Sequence, residues 1–251
     1  EFVRHSFCLT LWRTSWDSNE VCKRFIDNLA SLVNKKKSIR RLCQVTFSPL
    51  DGHSSRILKE CGSLLKLNIC ENILILGTWR SELPFDQDLS KQIRVKRLRT
   101  LSQRLWTAGY FSTPGIVRKM IAAVGLLHQY LLFFAAIIRY RPDYITCHHV
   151  DLLPVSVLSK WILGAYLVYA PHELECQRNG LNRFWRSMSY LTEKALLWTV
   201  DSTVVVCEPI ADWYRASYRV KKIYCVPNAP NRTRNISPDA KSNLLSEFFA
   251  T

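Results

Sequence analysis

Three short stretches hold the side chains best suited to chemistry. His148-His149 and Asp151 follow residues 144–147, and Pro171-His172-Glu173 follow residues 166–169, in each case after an apolar run short enough to be a strand. A neutral imidazole both donates and accepts a hydrogen bond and changes protonation near neutral pH, so a histidine at a strand's end suits holding or deprotonating a hydroxyl group. His172 is the first candidate for a catalytic group. Glu173 has two open roles, orienting His172 or bonding a loop amide. A strand sends neighbouring side chains to opposite faces, so one of His148 and His149 should address the site and the other should pack or cap; His148 is preferred. Asp151 is placed to cap the helical run that follows it and counts also as a substrate contact. The third stretch, Ser48-Pro49-Leu50-Asp51-Gly52, follows residues 42–47. Gly52 would let backbone approach a phosphate or sugar with no Cβ in the way, although a plain turn explains it too. Asp51 and Gly52 are the candidate contacts there.

From about residue 40 onward, short β-branched runs alternate with segments of helical period, which predicts βαβ units around a parallel sheet. Strands are expected at 42–47, 73–76, 93–95, 144–147, 166–169, 203–207 and 223–226, and helices at 54–67, 117–139, 153–163, 183–199 and 210–217. The expected fold is therefore α/β, a doubly wound, mostly parallel Rossmann-like sheet of about seven strands. In such sheets ligands bind outside the carboxyl ends of the strands, where the strand order reverses. That crevice would be lined by residues 48–54 and 148–154. Residues 1–39 fit the pattern poorly and read as an appendage, residues 40–235 as the Rossmann-like domain, and residues 236–251 as a tail or linker.

With 251 residues, 48% apolar and 22% charged, the chain has the composition of a globular protein rather than a disordered one. The 35 Lys and Arg against 20 Asp and Glu give a net charge of +15, a field that favours phosphorylated ligands, anionic lipid or nucleic acid. Nine cysteines include no C-x-x-C pair, so neither a zinc knuckle nor a redox dithiol is signalled; they read as reduced, buried thiols of a cytoplasmic protein. The chain begins Glu1-Phe2-Val3-Arg4, without Met and without an apolar leader, and so reads as starting at a cut.

Asp143-Tyr-Ile-Thr-Cys-His148-His149-Val-Asp151-Leu-Leu-Pro154, then Gly164-Ala-Tyr-Leu-Val-Tyr-Ala-Pro-His172-Glu173, resembles the amino-terminal domain of family 4 glycosyltransferases of the GT-B fold. In that family the two segments read like "D-v-I-h-a-H-D-x-d-x-l-P" and "G-a-x-l-v-Y-d-x-H-E". Ser55–Glu60, the stretch from Glu193 to Val206, and Val226-Pro227-Asn228-Ala229-Pro230 match further pieces in the same order. The pattern is kept over residues 41–230 with two departures: the family's His-Asp stands here as His148-His149, and its Gly-rich first loop keeps Gly52 alone.

The resemblance implies sugar transfer with retained stereochemistry from a nucleoside-diphosphate sugar to a glycan or lipid-linked acceptor, with no cofactor and no obligatory metal. His172 and Glu173 would be catalytic, His148, His149 and Asp151 would meet the acceptor, and Asp51 and Gly52 the donor. The family's donor-binding domain should begin after about residue 240, so the chain is expected to be the acceptor-side half and inactive alone.

Between Leu89 and Pro142 every charged residue is basic, and residues 120–138 are almost wholly apolar. The length would permit a membrane span, but His128 and Gln129 fall at its centre and the α/β order needs this segment as a crossover helix. It is expected to be a core helix, with peripheral contact between this basic region and anionic lipid on the inner membrane face. Two other readings compete: a non-catalytic subunit that docks a separate donor-binding chain, and a nucleic-acid-binding protein, which is disfavoured because no such motif accompanies the charge.

Overall fold

The structure, a computed structural model, describes residues 39–50, 55–66, 68–99 and 115–227, without the side chains of residues 116–122. The expected appendage over residues 1–38, the candidate contacts Asp51 and Gly52, and the tail at 236–251 lie outside the described residues; Ile39, read as part of the appendage, opens the first strand.

In chain order the elements are β1 (Ile39–Val45), α1 (Ser55–Lys66), β2 (Cys70–Thr78), β3 (Asp86–Asp88), β4 (Ile93–Leu98), α2 (Gly115–Tyr140), β5 (Tyr144–Cys147), α3 (Leu153–Leu163), β6 (Tyr166–Tyr169), α4 (Arg183–Leu196), β7 (Ser202–Val205), α5 (Glu208–Ser217) and β8 (Ile223–Cys225). The strands form one sheet in the order β3-β4-β2-β1-β5-β6-β7-β8, with every pair parallel except β3 with β4. All seven expected strands are present. The eighth, β3, is three polar residues on the sheet's edge, with no apolar alternation to announce it.

Alternation along the strands divides the core in two. Leu42, Ile73 and Ile75 pack with Ile57, Cys61 and Leu64 of α1 on one face. Cys43, Val45, Leu74 and Leu76 face the other way, against Phe133 and Ile137 of α2, Leu153 and Val157 of α3, and Ala211 and Tyr214 of α5. Burial on both faces explains why the strands read as apolar runs rather than as half-polar ones. The chain leaves β1 in one direction across the sheet, through α1 to β2, and leaves β5 in the other, through α3 to β6. The neighbours β1 and β5 therefore flank the point where the winding reverses, about 100 residues apart in sequence but in register from Leu42 with Tyr144 to Val45 with Cys147.

Helix α2 is longer than the sheet needs. At 26 residues and about 1.5 Å per residue it runs about 39 Å, against about 30 Å for the nine residues of β2, the longest strand. It serves the core by one stripe, where Phe133 and Ile137 are fully buried. The expected core helix is otherwise largely open, with Val124, Leu127 and Leu131 each more than half exposed, and Ala123–Tyr140 is long and apolar enough to cross a membrane.

Two polar devices hold the frame. Glu193 of α4 is fully buried and its carboxylate accepts three phenol hydroxyls, from Tyr169 at 2.8 Å, Tyr214 at 2.7 Å and Tyr218 at 2.6 Å, tying β6, α4 and α5 together. Arg97 of β4 is 2% exposed and donates to the carbonyls of Pro49, Leu50 and Pro84 and to Gln87 Oε1. Arg97 thus pins the loop after β1 and is not available to lipid. Arg94, another of the basic residues assigned to lipid, pairs with Asp88 at 2.9 Å. The loop also passes over Gly77, where any Cβ would overlap the Ser48 carbonyl oxygen.

Candidate functional site at the carboxyl rim of the sheet

The loop after β1 and the turns after β5 and β6 meet at one rim. His148, the first residue past β5, is fully buried, and its backbone N–H donates to the Val45 carbonyl of β1 at 3.0 Å. Its ring bridges two groups: Nε2 lies 2.6 Å from Gln44 Oε1, and Nδ1 lies 3.3 Å from Nε2 of His172. Gln44 donates its own Nε2–H to Glu60 Oε1 of α1 at 3.1 Å. Gln44 and the His172 ring thus engage one nitrogen each of His148, with donor and acceptor roles set by the tautomers.

His149 also joins the site. Its ring lies parallel to that of His172, with centroids 6.2 Å apart, and tilts against Phe47 at 5.5 Å. His148, preferred as the histidine facing the crevice, is instead fully buried, and His149 keeps the partly open position; β5 ends at Cys147, so strand alternation does not extend to them. Behind His149 sits Glu175, 2% exposed, with Oε1 3.7 Å from His149 Nδ1 and Oε2 3.4 Å from Arg178.

The electrostatics keep this cluster largely uncharged. Burial, then the neighbouring histidines, hold His148 well below its usual range, with a contact to the Ala170 carbonyl acting weakly the other way. Burial and then His172 bring His149 down to about 4. Burial and then the Arg56 guanidinium bring His172 to about 4, even though its side chain opens to solvent. Burial pushes Glu175 up to about 8, with Arg178 opposing. At neutral pH His149 is therefore neutral and Glu175 mostly protonated, so their 3.7 Å approach is not an ion pair.

Other expected residues fall around this centre. Glu173 is exposed and is not bonded to His172. Asp151 does not cap the next helix. It lies in a 3-10 turn, Val150–Leu152, whose Leu152 N–H bonds the His149 carbonyl; α3 then starts from Leu152 with Pro154 in its first turn, where a missing N–H costs nothing. Asp151 is half-buried, and burial, opposed by Arg178, raises its carboxyl above the usual range. Gln44, Arg56, Glu60, Glu175 and Arg178 were not singled out from the sequence. Gln44 had a signal, a lone amide in the buried run Leu42–Phe47, and Arg56 and Glu60 stand four apart on the first helix. Nη1 of Arg56 is buried with no hydrogen-bond partner among the described residues. Among the described residues no group of three His, Cys, Asp or Glu is arranged to hold a metal ion.

Similarity to solved structures accords with this geometry. A piece of sucrose-phosphate synthase from Thermosynechococcus elongatus aligns with a TM-score of 0.52 at 13% identity, over 84% of this chain and 98% of that piece. The fold is that of one GT-B half. Against the longer sucrose-phosphate synthase chain the TM-score is 0.57 at 14% identity, over 82% of this chain and 52% of that one. A UDP-glucose:anthocyanidin 3-O-glucosyltransferase in complex with UDP gives 0.50 at 12% identity, over 84% of this chain and 58% of that one. The GT-B half described here thus spans little more than half the length of those two proteins. No protein-family model matches the sequence, and no curated protein matches it.

Proposed function

We propose that this chain supplies the acceptor side of a retaining, sugar-nucleotide-dependent glycosyltransferase. The observation that carries the reading is His172, beside the winding-reversal point of a GT-B half, with Nε2 engaged by His148 and its side chain open to solvent. In this reading the neutral ring of His172 accepts a hydrogen bond from a sugar or lipid-linked hydroxyl and sets its oxygen against the anomeric carbon of the donor, without taking the proton. The bond from that carbon to the diphosphate breaks as the bond to the acceptor oxygen forms on the same face, and the acceptor proton leaves with the diphosphate. A neutral imidazole positions a hydroxyl without repelling the Arg56 cation nearby, and in this reading that cation helps to neutralise the diphosphate.

The acceptor is a glycan or lipid-linked saccharide and the donor a UDP- or GDP-sugar. Most of the grip on the donor comes from a second Rossmann-like unit, on the same polypeptide or on a separate chain. No metal enters the reading, because the Arg56 cation and the donor-binding unit share the neutralisation.

The test is a titration followed by histidine NMR. Adding UDP- or GDP-sugars together with mono- and disaccharide acceptors should shift the His172 and His149 ring signals and leave His128 in place. Silence from both rings at millimolar ligand, across the panel, would defeat the proposal. Calorimetry with the sugar nucleotide alone should show binding weaker than about 0.1 mM, because one half of a cleft buries only part of a ligand; micromolar affinity would overturn the division of labour.

A further inference from the structure

Helices α2, α3 and α4 lie side by side on one face of the sheet, and α4 is inside out. The buried residues of α4 are Ser189 and Glu193, while Phe184, Trp185, Met188 and Leu191 are 41–64% exposed. Helix α3 buries Leu153, Val155 and Val157 with Ser156 and Ser159, and on its outer side exposes Leu158, Trp161 and Ile162. On α2 the exposed stripe is Val124, Leu127 and Leu131, and Trp198 stands 56% exposed just past α4. Scattered exposed apolar residues are ordinary, but matched stripes on three adjacent helices make one large apolar face.

The charge on these helices has one sign. Lys160 of α3 is taken up by Asp201 at 2.7 Å, and the other described cations on these helices are Arg139, Arg183, Arg186 and Lys194, against a single acid, Glu193, which is buried under its tyrosines. A second copy of this chain would set cation against cation across such a face. An anionic bilayer meets it with apolar acyl chains and opposite charge, and tryptophan favours that interface.

We infer that the outer face of α2, α3 and α4 seats the protein on an anionic lipid bilayer, with Phe184, Met188, Leu191, Trp161 and Trp198 entering the headgroup boundary and Arg183 and Arg186 meeting lipid phosphates. This surface, and not the basic edge around Arg94 and Arg97, is the membrane contact. The inference does not rest on sugar transfer.

The test uses the full chain with two kinds of vesicle, pure phosphatidylcholine and phosphatidylcholine containing about a third phosphatidylglycerol. Co-sedimentation should favour the anionic vesicles about tenfold or more at low salt, with a blue shift of tryptophan emission. Combining Phe184→Glu, Met188→Glu and Leu191→Glu should abolish binding to both; all three side chains are exposed, so an unchanged urea midpoint shows the fold intact. Arg183→Glu with Arg186→Glu should remove the anionic preference, and Leu89→Glu, exposed on the opposite edge, should change nothing. The proposal is overturned if anionic vesicles fail to sediment the protein at low salt. It is equally overturned if the triple variant binds like wild type, or if sedimentation velocity shows a dimer that the same variant dissociates.

Discussion

Two buried polar clusters, built from similar side chains, end differently. Around Glu193 every group is answered by another: one carboxylate, three phenols, each oxygen bonded within 2.8 Å. At the rim the chain Glu60–Gln44–His148–His172 is answered at one end and open at the other, where the His172 side chain meets solvent. A saturated network holds elements together; an open-ended one stores capacity for a ligand. Gln44 and His148 are as deeply buried as Glu193, so the depth of a single group does not tell a structural cluster from a chemical one.

Stability measurements can break that comparison. The largest effect should come from Glu193→Ala, which orphans three buried phenols and should cost about 4 kcal/mol in urea unfolding, with Glu193→Gln retaining part of it. A loss below about 1 kcal/mol would show that the knot is no anchor. Next, His148→Leu leaves Gln44 unanswered and should cost about 2 kcal/mol. In that variant the His172 ring signal should also move, which a purely local packing change would not produce.

A third measurement uses pH. Glu175 has its folded pKa raised from 4.5 to about 8, so its contribution is fully present below pH 4.5 and is lost as pH rises through about 8. His149 is lowered from 6.5 to about 4, so its contribution is present above pH 6.5 and is lost as pH falls through 4. Between pH 6.5 and 8 the Glu175 slope therefore remains without the opposing one. Wild type should lose about 1 kcal/mol more than Glu175→Gln across that window; parallel curves would remove Glu175 from the cluster. The smallest effect belongs to the open end: His172→Ala and Glu173→Gln should each change stability by less than about 0.5 kcal/mol. A large loss at His172 would mean that the rim is as structural as the knot.

Much of this was legible in the sequence. Parallel strands buried on both faces leave an apolar signature, and 144–147 and 166–169 fall where expected to the residue. The rim followed from strand order alone, because His148 and His172 each sit just past a strand end. What stayed hidden depends on side chains from distant segments. Nothing in the run Leu42–Phe47 says that Gln44 faces a histidine 104 residues away. Three-residue β3 has no period to detect, and the reversal of polarity in α4 is invisible to a reading that equates apolar with buried. The Asp151 cap failed for a local reason: a 3-10 turn and Pro154 already begin the helix.

The Arg97 guanidinium has a mechanical consequence. It grips Pro49 and Leu50 at the sheet's centre with the same fork that holds Pro84 and Gln87 at its edge, so the β3–β4 hairpin and the loop beside the histidines form one lever. Removing that one side chain would unfasten both at once, which makes Arg97 the single polar tie between the sheet's edge and the mouth of the cleft among the bonds described above.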